Sequence, residues 1–280
     1  MLGAVELPLY CAQAFDTDTQ GQEYWIAGFP VNDARAQFWE RRRHCYELVL
    51  DSLSVFEERC GSTKQSSGQV DDPENVRGHA YELAFASEDE MFHSTLYEWL
   101  IGRGMADELL EVPILIIRGL NCINAHRQMR PAYLEAHLRR EPVTVEKFQL
   151  LWQFYVKDGQ PLRAAEVLAV LAESTEHVYS VSIPCVMLTS RRFSLSLDAR
   201  LEYLTLAVSN AKSHPVSTGG RHETAIAFLT DLEEKLEVAQ VQLELYNTLL
   251  PRQHEPEVTD RFKALSYRLY NITEVSQASG

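Results

Sequence analysis

Thr144-Val-Glu-Lys-Phe-Gln-Leu-Leu-Trp-Gln-Phe-Tyr-Val-Lys-Asp-Gly-Gln-Pro-Leu-Arg-Ala-Ala-Glu-Val-Leu-Ala-Val-Leu-Ala172 decides the fold class. Val145, Phe148, Leu151, Trp152 and Tyr155 recur at helical spacing, so they share one face. Thr144 stands where an N-cap oxygen is needed, and Asp158-Gly159 is a turn signal. Pro161 is pre-set for a first helical turn. Leu162, Ala165, Leu168, Leu171 and Ala172 then form a small-residue stripe suited to close helix packing. Two amphipathic helices joined by so short a turn must lie antiparallel and bury their stripes together.

The same pattern extends both ways. Upstream, Asn32 or Asp33 is placed to cap a helix in which Trp39, Tyr46, Val49, Leu53 and Phe56 share a face, with Gly61 as its end. A loop is expected over 61–72 and a short helix over 75–86. Ser87-Glu88-Asp89-Glu90 has the form of a capping box, with Ser87 as the cap, opening a helix that carries Met91, Phe92, Leu96, Trp99 and Leu100. Gly102 and Gly104 close it, and helices are predicted over 105–112 and, beginning with Pro131, over 131–140. Downstream, Ser196 caps a helix over 197–212. A long helix follows, with Leu229, Leu232, Leu236, Ala239, Leu243, Tyr246 and Leu250 as its seam. Pro251 and Pro256 break it, and a last helix carries Val258, Phe262, Leu265, Leu269 and Ile272. Residues 1–30 are expected to be extended, and 31–280 an all-α, irregular solenoid of stacked antiparallel helices. No period of 34 or 40 residues supports a regular repeat family.

Composition narrows the function. The chain has 280 residues, 45% of them apolar, and a net charge of −14, which repels phosphate and disfavours nucleic acid and anionic membrane as partners. Cys11, Cys45, Cys60, Cys122 and Cys185 form no Cys-x-x-Cys pair, so reduced cysteines are expected rather than a disulfide framework or zinc finger. The N-terminus has no basic and apolar leader pattern, and no apolar run approaches the roughly 20 residues that span a bilayer.

No phosphate-binding loop, nucleophile elbow or zinc-protease motif is present. Glu90 and His93 make one Glu-x-x-His step, whereas a di-iron bundle needs two such steps and two further glutamates. Glu90 is therefore read as a capping residue and His93 as an ordinary helix residue. Arg41-Arg42-Arg43-His44 is read as a solvated face, because consecutive helical residues diverge by about 100°. Trp39, Trp99, Trp152 and Tyr155 are read as core, Trp152 being an anchor. No catalytic, cofactor-binding or metal-ligating residue is expected, and no protein-binding residue is singled out.

Several phrases resemble, in order, the C-terminal α-solenoid of the large non-repetitive, wheat-germ-agglutinin-negative nucleoporins. They are Cys45-Tyr-Glu-Leu-Val-Leu50, Ser87-Glu-Asp-Glu-Met-Phe-His-Ser-Thr-Leu-Tyr-Glu-Trp-Leu100, Tyr133-Leu-Glu-Ala-His-Leu138 and Leu150-Leu-Trp-Gln-Phe-Tyr155. Arg163-Ala-Ala-Glu-Val-Leu-Ala-Val-Leu-Ala172, Leu195-Ser-Leu-Asp-Ala-Arg-Leu-Glu-Tyr-Leu204, Asn210-Ala-Lys-Ser213 and Leu232-Glu-Glu-Lys-Leu-Glu-Val-Ala239 follow. The resemblance implies a structural scaffold of the inner ring of the nuclear pore complex, in the nuclear envelope and close to the pore membrane. It implies binding to linker and other scaffold nucleoporins, support of nucleocytoplasmic transport and pore assembly, no cofactor and no catalysis. Relative to that pattern the chain reads as a fragment with insertions at 113–130 and 177–193, neither of which contains Asp or Glu. The rival reading is an α-helical scaffold or adaptor of vesicle coats or of signalling complexes.

Overall fold

The computed structural model describes residues 2–62, 73–110, 131–140, 144–174, 178–179, 192–193, 195–214 and 222–279. They fall into two compact units, Met1–His137 and Leu138–Gly280. The expected insertion at 113–130 lies outside the described residues, as does 63–72 of the expected loop. Of 177–193, four residues are described: Val178–Tyr179 (β1) and Arg192–Phe193 (β2) pair antiparallel.

The first unit begins with helices, not with an extended segment. They are α1 (Leu2–Ala14) and α2 (Gln20–Ile26), followed by α3 (Ala36–Ser62), α4 (Pro73–Phe85), α5 (Glu90–Gly102), α6 (Ala106–Leu110) and α7 (Leu134–Arg139). In α1, Val5, Leu9 and Ala12 are buried at spacings of four and three, against α3 and α4. Helix α3 is the spine of the unit. It buries Arg42, Cys45, Tyr46, Val49, Leu50 and Leu53 on one face, with Trp39 and Phe56 half-buried, and it runs through Gly61 rather than ending there. Helix α5 buries Met91, Phe92, His93, Ser94, Leu96, Tyr97 and Leu100, which is most of its circumference.

Its cap is Asp89, whose carboxylate accepts from the Met91 and Phe92 amides, while Ser87 Oγ accepts from the Asp89 amide. The cap is thus two residues later than the Ser-x-x-Glu pattern indicates, because Asp89 is held from outside the helix. Pro131 does not begin α7; Tyr133, at φ 59°, turns the chain into it.

The second unit comprises α8 (Val145–Lys157), α9 (Pro161–Glu173), α10 (Leu197–Lys212), α11 (His222–Leu249), a 3₁₀ turn (Leu250–Arg252), α12 (Pro256–Tyr267) and α13 (Ile272–Ser279). The local signals act as read. Thr144 Oγ1 accepts from the Lys147 amide at 3.3 Å, Ser196 Oγ from the Ala199 amide at 3.2 Å, and Gly159 takes the left-handed turn at φ 70°. Helices α8 to α11 pack in sequence order. Their core is Ala165, Leu168, Ala169 and Ala172 against Leu204, Ala207, Val208 and Ala211, closed by Leu232 and Ala239. Alanines at the contact let helix axes approach, and such interiors are close-packed.

Two expectations are corrected here. Trp152 is half-buried against this core, and its Nε1–H is buried with no acceptor among the described residues. The last helix is two, α12 and α13, with Leu269 in the break, and Leu250 is 40% exposed.

Candidate functional site

The most charged buried site lies in the first unit, around Arg42. Its Nη1 donates to Asp16 Oδ2 at 2.9 Å, its Nη2 to Asp89 Oδ2 at 2.7 Å and its Nε to the Tyr46 hydroxyl at 2.9 Å. Tyr46 in turn donates to Asp89 Oδ2 at 2.6 Å. The side chains of Arg42, Asp16 and Asp89 are 7%, 0% and 3% exposed. Burial works against the Arg42 charge, but the Tyr46 oxygen and the Asp89 carboxylate outweigh it and hold the guanidinium above its ordinary value. Burial and the same carboxylate push the Tyr46 hydroxyl up.

Asp16 also accepts from the Gly21 amide at 3.0 and 3.1 Å. A Cβ on Gly21 would stand 2.9 Å from Asp16 Oδ2 and 3.0 Å from the Trp39 amide nitrogen, so only glycine lets α2 sit this close to α3. One guanidinium thus joins the α1–α2 turn, α3 and the start of α5. Of the basic run read as a solvated face, Arg41, Arg43 and His44 are exposed, but Arg42 is buried. The divergence of consecutive helical residues places them apart in this way: Arg42 is in phase with Trp39, Tyr46, Val49 and Leu53, and a pair of aspartates distant in sequence compensates its charge there. A polar cavity of about 360 Å³ opens beside this cluster.

Next to it, His93 is fully buried. Its Nε2–H donates to the Ser87 carbonyl at 2.7 Å, a tautomer assigned from that partner, and its Nδ1 lies 3.0 Å from the Tyr97 hydroxyl. Tyr97 also donates to the Ala132 carbonyl. Burial lowers the His93 pKa, the Ser87 carbonyl and Asp89 acting against it. The Nε2 bond holds the turn before α5, the Tyr97 hydroxyl ties the chain at Ala132 to α5, and Glu90 is only half-buried. No group of three or more potential metal ligands occurs among the described residues. Ser94 Oγ meets His137 Nδ1 at 2.8 Å, but the pair is 7% and 4% exposed, inside the packing of α5 on α7.

The second unit buries polarity differently. Arg200, 1% exposed, donates to backbone carbonyls: Ala172 at 2.6 Å, Tyr267 at 3.2 Å and Leu195 at 3.3 Å. Ala172 and Tyr267 lie in the last turns of α9 and α12, where carbonyls lack helical partners and the helix dipole is negative. Burial lowers the Arg200 pKa, yet a guanidinium stays protonated. Gln242, also fully buried, donates to the Leu265 and Arg268 carbonyls at 2.7 Å each and accepts from the Tyr270 amide at 2.8 Å. It stitches the break between α12 and α13 to α11. Beside that break lies a cavity of about 440 Å³, where Lys235 bridges Glu173 at 2.6 Å and Asp231 at 2.8 Å.

These groups fix helices to one another. Residues 1–278 match the family model described as the C-terminal region of the non-repetitive/WGA-negative nucleoporins.

The chain belongs to this nucleoporin family.

A probable nucleoporin of Schizosaccharomyces pombe is 30% identical over 85% of the chain, and Nup154 of Drosophila melanogaster is 25% identical over 98%. The chain spans only 15% and 19% of the lengths of these relatives. Among solved structures, the Chaetomium thermophilum Nup170 CTD–Nup145N complex superposes with a TM-score of 0.73 at 24% identity, over 98% of this chain and 46% of that one. That likeness carries the fold: the nucleoporin chain is an α-helical solenoid. No helix among its described residues is long and apolar enough to cross a membrane.

Sequence reading missed Arg42, Asp16, Asp89, Arg200 and Gln242. Signals were present for three of them: Gln242 is one step from Leu243 in an apolar seam, Arg42 is in phase with Trp39 and Tyr46, and Arg200 with Leu197 and Leu204. Asp16 and Asp89 carry none.

Proposed function

We propose that this nucleoporin chain is a structural segment of the inner-ring scaffold of the nuclear pore complex, at the nuclear envelope. It acts through surface rather than chemistry, binding other nucleoporins and so supporting pore assembly and nucleocytoplasmic transport. The observation that carries this reading is the family match over residues 1–278. The buried polar groups support it, since each is spent on holding one helix to another. A Nup170 C-terminal domain has been crystallised with Nup145N, which supports nucleoporins as the partner class. Solenoid helices bury each other and leave grooves able to receive helical or extended segments.

The test is localisation with partner capture. The full-length gene product, tagged and expressed in its own cells, should give a punctate nuclear rim, and proximity labelling at the rim should return inner-ring nucleoporins. Labelling confined to coat vesicles, with coat subunits recovered, would replace this reading by the adaptor one.

A further inference from the structure

We draw no further inference here: the strongest candidate, the polar cavity of about 360 Å³ beside Arg42 that Glu88 and Glu90 also line, belongs to the site already described, and among the described residues no buried polar side chain without a partner lines it to say what would fill it.

Discussion

Residues 1–137 bury opposite charges against each other, at Arg42, Asp16 and Asp89, whereas residues 138–280 bury a cation and an amide against backbone carbonyls, at Arg200 and Gln242. Both solutions tie helix ends to helices distant in sequence. They differ in what is left when one member is removed. Deleting Arg42 strands two buried carboxylates, but deleting Arg200 strands neutral acceptors. The first unit therefore depends more sharply on a single side chain.

The largest expected effect follows directly. Arg42→Ala should lower stability by about 3–5 kcal/mol, because breaking one side of a buried ion cluster leaves uncompensated charge. Hydrogen exchange should show the loss concentrated in α1, α3 and the first turn of α5. A loss spread evenly over both units would break the comparison.

Arg200→Met should cost less, about 1.5–3 kcal/mol, the value of charged hydrogen bonds to carbonyls that are then left unmet. Denaturant titration read beside Arg42→Ala tests the order; a larger loss at Arg200 would reverse it. Gln242→Leu should follow at about 1–3 kcal/mol, with early exchange of the Tyr270 amide as its local mark.

His93 gives a pH-dependent contrast. Burial holds it below its ordinary value of 6.5, so on acidification the unfolded chain takes up this proton before the folded one does. Its contribution is complete above about pH 6.5 and is lost as pH falls below it, at no more than about 1.4 kcal/mol per pH unit. The His93→Gln protein should show a shallower decline in stability between pH 7 and 5. Equal slopes would assign the dependence to other groups.

The smallest effect belongs to the surface. Arg252 grips Glu255 at 2.6 Å and lowers the Glu255 pKa, but both side chains are exposed. Glu255→Gln should leave Tm unchanged within error.

The two units also differ in how far they were legible. Thr144, Asp158-Gly159, Pro161 and Ser196 set the bounds of α8 to α10 because capping and turn chemistry act over a few residues. The start of α5 was misplaced onto Ser87. The Ser87 hydroxyl does accept from the Asp89 amide two residues on, but Asp89 becomes the cap because Arg42 and Tyr46 fix its other oxygen. Residues 1–30, expected to be extended, are helical instead, because apolar spacing at 5, 9 and 12 is enough for a helix once α3 and α4 cover it.

By itself the sequence determined that this nucleoporin segment is all-helical, where most of its helices lie and which stripes face inward, since those follow from propensity, capping and a period of 3.6 residues. Tertiary structure alone decided that a charge could stay inside. The helical period places Arg42, and not Arg41, on the stripe of Trp39, Tyr46, Val49 and Leu53, but it does not say what would compensate a guanidinium there. Only the arrival of Asp16, 26 residues away, and Asp89, 47 residues away, supplies the compensating charge that makes its burial favourable.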